Sequence, residues 1–190
     1  MHRVIAALVL LFLAACAGPP DGNLSAPGEG IPDTRAGMRG PASREMPSGR
    51  GLAADYLLVD KSERLLIAYA GGRPIRAYRD LAFGNAPMGH KRFEGDERTP
   101  EGLYSIDWRN PNSRYHLSLR ISYPNAEDRA NAARLGRSPG GNIFIHGQPN
   151  GHAGPPLPGD WTDGCIALSN TQIEELWRLV PDGTPIEIRP

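Results

Sequence analysis

The chain has 190 residues, 39% of them hydrophobic and 22% charged, a balance that suits one globular domain and not several. Lys plus Arg and Asp plus Glu number 21 each, so the formal net charge is zero. No basic excess points to nucleic acid as a partner, and no run of like charge reads as an interaction tail.

The first segment reads as a targeting signal. Met1-His2-Arg3 carries one positive charge, and an unbroken run of ten apolar residues follows from Val4 to Leu13. Such a run is too short to cross a hydrocarbon core of roughly 30 Å. It fits the h-region of a secretory signal with small residues behind it. Leu13-Ala14-Ala15-Cys16 resembles the bacterial lipoprotein box. The resemblance implies removal of residues 1–15 and a lipid on Cys16 that ties the protein to a membrane. An ordinary signal cleaved nearby, with Cys16 left free, is the other reading. Ala17, where some sorting signals have Asp, favours the periplasmic side of an outer membrane by the same resemblance. The one other cysteine is Cys165. A lipid on Cys16 would leave it unpaired in a compartment that permits disulfides.

Residues 17–51 contain eight Gly and six Pro and no aromatic. Such a stretch buries too little apolar surface to offset its ordering entropy. Residues 16–52 are therefore expected to be a flexible tether with a reach of roughly 30–35 Å. The composition changes at Ala53, and 53–190 reads as the folded domain. Strand patterns run over Asp55–Asp60, Leu65–Ala70, Pro74–Ala82, Leu103–Trp108, His116–Tyr123, Asn142–His146, Ile166–Leu168 and Thr184–Ile188. Tyr104, Trp108 and Tyr123 fall on these patterns as core residues. Asn125 caps a short helix that ends near Leu135, before Gly136. Ser169-Asn170-Thr171-Gln172 is a capping box, followed by an apolar face of Ile173, Leu176, Trp177 and Val180. Pro181-Asp182-Gly183 stops it. The expectation is a mainly β domain with two short helices.

Two segments could carry chemistry. Asn142-Ile143-Phe144-Ile145-His146-Gly147 is an apolar strand ending in histidine, and Asp160-Trp161-Thr162-Asp163-Gly164-Cys165 is a turn leading into a strand. Four Gly and four Pro lie in the intervening residues 147–160, enough for a loop that returns to its origin. A thiol of ordinary pKa, about 8.5, is only slightly ionised at neutral pH, so a nucleophilic Cys165 needs a base such as His146. The imidazole would then return the proton to a leaving amine. Gly164 permits close backbone approach, and neighbouring amides could stabilise an oxyanion. Composition alone serves equally well for a small buried thiol and a satisfied histidine.

The same segments resemble the L,D-transpeptidase family with the YkuD-type catalytic domain. The match comprises His146-Gly147, a variable loop, Thr162-Asp163-Gly164-Cys165 and the helix that Ser169 opens. Arg98-Thr99-Pro100-Glu101-Gly102 and Asp182-Gly183-Thr184-Pro185 resemble further family segments. The resemblance implies a β-sandwich-like fold and a substrate in the peptidoglycan stem peptides. Cys165 would attack the carbonyl between a stem's third residue and its terminal D-alanine. His146 would act as base and then acid, the Gly147 carbonyl would orient its ring, and no cofactor or metal would be needed. Trp161, Thr162, Asp163 and Gly164 are the candidates for substrate and oxyanion contact.

Two positions depart from the family pattern: Asp163 replaces a common His, and Ala167 replaces a common Arg two residues after the cysteine. The missing cation removes an anchor for a substrate carboxylate, which Arg98, Arg114 or Arg120 could replace. Hydrolysis of a wall linkage, or release of a wall-attached lipoprotein, is the alternative to transfer. A non-catalytic tethering lipoprotein also fits. A zinc hydrolase built on His146, His152, Asp163 and Cys165 is a further reading, although no H-E-x-x-H or paired-Cys spacing is present. His152 reads either as a lid residue or as an exposed loop histidine.

Overall fold

A computed structural model describes residues 52–190. The proposed signal, Cys16 and all of the tether except Leu52 lie outside the described residues. The sequence of elements begins with β1 (Tyr56–Asp60), β2 (Leu65–Ala70) and β3 (Arg73–Tyr78). These are followed by β4 (Gly102–Ser113), β5 (His116–Ile121), α1 (Ala126–Arg134), β6 (Phe144–His146) and β7 (Ile166–Ala167). The last two elements are α2 (Asn170–Leu179) and β8 (Pro185–Arg189). The domain is mainly β with two helices, as its alternating patterns predict.

The eight strands hydrogen-bond in the order β3-β2-β1-β8-β4-β5-β6-β7. Strand β4 joins two ladders. Its first residues, Gly102 to Ser105, pair with β8, and Ile106 to Ser113 pair with β5. Alternation drives the burial: Leu57 and Val59 of β1, Leu66 and Ala68 of β2, and Ile186 and Ile188 of β8 are buried. Leu119, Ile121, Ile145 and Ile166 from the other ladder join them in one cluster with Ile173 and Leu176 of α2. The two ladders thus enclose a single core, a sandwich-like arrangement made from one folded sheet.

Both helices start as their caps predict. The Asn125 side chain accepts from the amides of Glu127 and Asp128, and the Ser169 hydroxyl accepts from that of Gln172. On α2, Ile173, Leu176, Leu179 and the capping Val180 are buried, and Trp177 packs half-buried beside them.

Three expectations change. Tyr104 and Tyr123 are core residues, but Trp108 is 44% exposed. A bulge causes this: β4 advances two residues from Ile106 to Trp108 while β5 advances one from Ile121 to Arg120. The extra residue breaks the alternation, and Trp108 turns outward under the Arg120 guanidinium. The strand expected over Pro74–Ala82 ends at Tyr78. Leu81 to Gly84, all buried, instead bridge to Ala167 and Thr162, strapping the cysteine segment onto the fold. The strand expected from Asn142 begins at Phe144.

Candidate active site

Strand register brings His146 and Cys165 together. Strands β6 and β7 are parallel, with Ile145 opposite Ile166 and His146 opposite Ala167. Ile145 and Ile166 enter the core, so Phe144, His146 and Cys165 face the other way. Cys165 lies one strand over and two residues back from His146, roughly 8 Å between backbones from standard strand spacings. Both side chains line one cavity of about 620 Å³, together with Arg114, Tyr115, Trp161 and Asp163.

The imidazole is buried and held at one nitrogen. His146 Nδ1 donates to the Gly147 carbonyl at 2.7 Å, which leaves Nε2 as the unprotonated nitrogen. Burial lowers the pKa of His146, and the Gly147 carbonyl only partly opposes that shift. The ring is neutral at pH 7 and available as a base. Tyr115 lies against it with ring centroids 4.5 Å apart, and Trp161 meets it edge-on at 5.7 Å. Gly147 is required here by close approach: a Cβ at this position would come 2.6 Å from Asn170 Oδ1 and 3.0 Å from Ile173.

The Cys165 thiol is half-buried and free. It donates to the Asn142 carbonyl at 3.6 Å and accepts from the Phe144 amide at 3.4 Å. Among the described residues these are its hydrogen-bond partners, and His146 is not one of them. Burial pushes the thiol pKa up to about 11, and the Asp163 carboxylate adds to the rise. The Phe144 amide and the Lys91 ammonium oppose it. Both members of the pair are therefore neutral at pH 7.

The turn that carries Cys165 is fixed from both ends. The Thr162 hydroxyl donates to the Cys165 carbonyl at 2.7 Å and accepts from the Gly164 amide at 3.2 Å. Gly164 has φ +122°, and a Cβ there would come 2.5 Å from the Arg98 carbonyl. Asp160 holds the start of the segment: Arg64 grips both its oxygens at 2.7 Å, and the Phe83 amide donates to it at 2.8 Å.

The predicted site residues are distributed as follows. Trp161, Thr162, Asp163, Cys165 and His146 line the cavity. Thr162 is buried within its turn, and the Gly164 amide is already engaged by Thr162, so both act on turn geometry. The Trp161 indole N–H is buried without a partner among the described residues. His152 lies in the loop outside the cavity lining, half-buried and not exposed as the loop reading expected, its Nε2 donating to the Pro155 carbonyl at 2.8 Å. The zinc set does not converge: among the described residues no three His, Cys, Asp or Glu side chains form a ligand cluster. Of the three candidate carboxylate anchors, Arg114 lines this cavity, Arg98 lines another, and Arg120 pairs with Asp107. Sequence reasoning did not identify Tyr115, Asn110 and Asn112, which line the cavity from β4 and its turn into β5, or the Arg64–Asp160 clamp. Only the pairing of distant strands places them there, and no local pattern marks them.

Residues 54–188 match the YkuD family, described as the L,D-transpeptidase catalytic domain. Over 147 residues the chain is 29% identical to YafK of Escherichia coli strain K12, covering 74% of this chain and 52% of that protein. Among solved structures, it is similar to the helical cell shape determining protein Pgp2 from Campylobacter jejuni, with a TM-score of 0.57 and 27% identity. That match covers 73% of this chain and 48% of Pgp2. Bd1075 from Bdellovibrio bacteriovorus gives a TM-score of 0.51 at 28% identity, over 72% of this chain and 48% of that one. The chain spans about half the length of these relatives. With more than two thirds of its residues inside the family match, the chain belongs to the YkuD family of L,D-transpeptidase catalytic domains.

Proposed function

We propose that the protein is a cysteine acyltransferase acting on peptidoglycan stem peptides, with Cys165 as nucleophile and His146 as general base and then acid. The observation that carries this reading is one cavity lined by a free thiol and by an imidazole whose Nδ1 is locked to the Gly147 carbonyl. That lock leaves Nε2 as the nitrogen that takes the thiol proton. Sγ attacks the stem carbonyl, and the C–N bond to the departing D-alanine breaks. That amine leaves with the proton from Nε2, and a thioester remains on Cys165. An amine of a second stem, or water, then gives its proton to Nε2, attacks the thioester and releases the thiol. Each step conserves atoms and charge without a cofactor.

Arg114, exposed on the cavity wall, supplies the cation that Ala167 does not. Ala167 is 2% exposed and lies opposite His146 on β7. Water as acceptor, which would make the enzyme a hydrolase of the same linkages or a releaser of a wall-attached lipoprotein, shares every step up to the thioester. The proposal includes export and a lipid anchor on Cys16, motivated by the apolar run and small residues before it.

The test is intact-protein mass spectrometry of the full chain with a carbapenem, whose strained amide acylates an activated thiol, and then with a tetrapeptide stem. One adduct is expected on wild type and none on Cys165→Ser or on His146→Ala within the same time. Equal labelling of wild type and Cys165→Ser would overturn the reading. Products formed with and without an added amine then separate transfer from hydrolysis.

A further inference from the structure

A second cavity of about 370 Å³ lies between the segment joining β3 to β4 and the last turns of α1. His90, Arg92 and Arg98 line it from the first, and Asn131, Arg134 and Leu135 from the second. Positions 131, 134 and 135 share one helix face. Three arginines therefore line one small space, with the Arg134 guanidinium donating to the Asn131 side chain. Among the described residues none of the three forms an ion pair.

The two buried carboxylates nearby, Asp96 and Asp128, are engaged by other groups. Asp96 is taken up by the Lys91 ammonium and by the amides of Arg92, Phe93 and Arg98. Asp128 accepts from the Tyr104 hydroxyl and the Asn125 amide and meets His90 Nε2 at 3.1 Å. His90 is itself fixed, since its Nδ1 accepts from the Glu101 amide at 2.9 Å. The cavity presents three arginines without ion-pair partners, with Leu135 as its apolar edge.

We propose that this cavity is a second binding site that takes the free carboxylates of a wall peptide. The inference rests on the stem-peptide reading above. A guanidinium fork matches a carboxylate in two parallel hydrogen bonds, and three forks serve a ligand that carries more than one carboxylate. Stem peptides are such ligands. The C-terminal turns of α1 disfavour an anion of either kind, so the guanidiniums must supply the attraction.

The position suits a second segment of the same polymer. Arg98 lines this cavity, and its carbonyl abuts Gly164 of the cysteine turn. The 137–142 loop lines the first cavity with Gly141 and Asn142, and its Gly140 abuts Glu94, next but one to Arg92.

The test measures binding by the full chain carrying Cys165→Ser, so that no reaction intervenes. The probes are a soluble tetrapeptide stem and the same stem with its carboxylates converted to carboxamides. Adding Arg92→Gln and Arg134→Gln is expected to weaken binding of the carboxylate stem at least about tenfold, equivalent to about 1.4 kcal/mol. Arg178→Gln, which changes an exposed cation on α2, serves as the charge control and should bind as the parent does. The carboxamide stem should bind weakly to every variant, and 0.5 M salt should shrink the difference. An unchanged unfolding midpoint in the arginine variant excludes misfolding as the cause; a lowered one moves the test to Arg92→Lys and Arg134→Lys, which keep charge but lose the bidentate fork and should weaken stem binding less. Equal stem affinity with and without the arginines overturns the proposal. So does loss of binding only to vesicles containing phosphatidylglycerol, which would assign the site to lipid phosphate. Acylation of Cys165 by the stem is measured separately, so failure of the catalytic reading is distinguishable from failure of this one.

Discussion

At the scale of single residues, the site is set by what surrounds two ionisable side chains. Burial keeps the Cys165 thiol protonated, and Asp163 reinforces this from the exposed rim of the cavity. Asp163 thus adds a negative charge beside the proposed nucleophile. Asp163→Asn is expected to speed alkylation of Cys165 by iodoacetamide at pH 8 by about threefold, the effect of one screened charge. An unchanged or slower rate would show that Asp163 does not bias the thiol. The Cys–His pair was legible in the sequence because the His-Gly and Gly-Cys steps are local. The thiol's actual partners, the Asn142 carbonyl and the Phe144 amide, were not. They lie more than twenty positions away and meet Cys165 only through the β6–β7 register.

At the scale of elements, the segment joining β3 to β4 does more than connect them. Its Leu81–Gly84 part bridges to the cysteine segment, and its Arg98 carbonyl abuts Gly164. A buried pair holds it: Lys91 Nζ meets Asp96 Oδ1 at 2.8 Å, with both side chains at most 5% exposed. Burial alone would raise the Asp96 carboxyl pKa. The Arg92 amide, the Lys91 ammonium and the amides of Arg98 and Phe93 hold it below the usual carboxylate range. Replacing Asp96 by Asn strands the Lys91 charge, so we expect a loss of about 3 kcal/mol in chemical denaturation, the lower end for breaking a buried pair. A loss under about 1 kcal/mol would mean that the segment is anchored elsewhere, with the Lys61–Glu101 pair as the next candidate. Helix caps and most strands were readable in advance because they depend on neighbouring residues. The strap's first residues, Leu81 and Ala82, read as the end of a strand because their apolar character is the same in either role.

At the scale of the whole molecule, the shifted groups shape stability against pH. His146 has a lowered folded pKa, so the unfolded chain binds its proton more readily. Its contribution is complete above the ordinary imidazole value of about 6.5 and is lost as the pH falls through the folded value. Asp160, held low mainly by Arg64, adds a similar loss at lower pH. Cys165 behaves oppositely. Its raised pKa gives a contribution complete below the ordinary thiol value and lost as the pH rises toward about 11. Burial raises Tyr78, Tyr104 and Tyr123 in the same sense. Stability should therefore be flat between about pH 7 and 8.5 and decline on either side. The fall from pH 7 to 5 should be smaller in His146→Gln, and the fall from pH 9 to 11 smaller in Cys165→Ser. Wild-type slopes in both variants would refute the assignment of those losses to these groups.

The sequence by itself determined the mainly β class, the two capped helices and the family, and it singled out the two residues proposed as nucleophile and base. Each of these depends on alternation, on capping residues or on short motifs, and such signals act over a few neighbouring positions. Only the tertiary structure decided that Trp108 faces outward and that Tyr115 stacks on His146. It also decided that Asp160 is clamped by Arg64 and that three arginines from a loop and a helix share one cavity. Those outcomes depend on a bulge and on the pairing of strands distant in the chain. Their side chains meet only after the core has closed, and no local pattern carries that information.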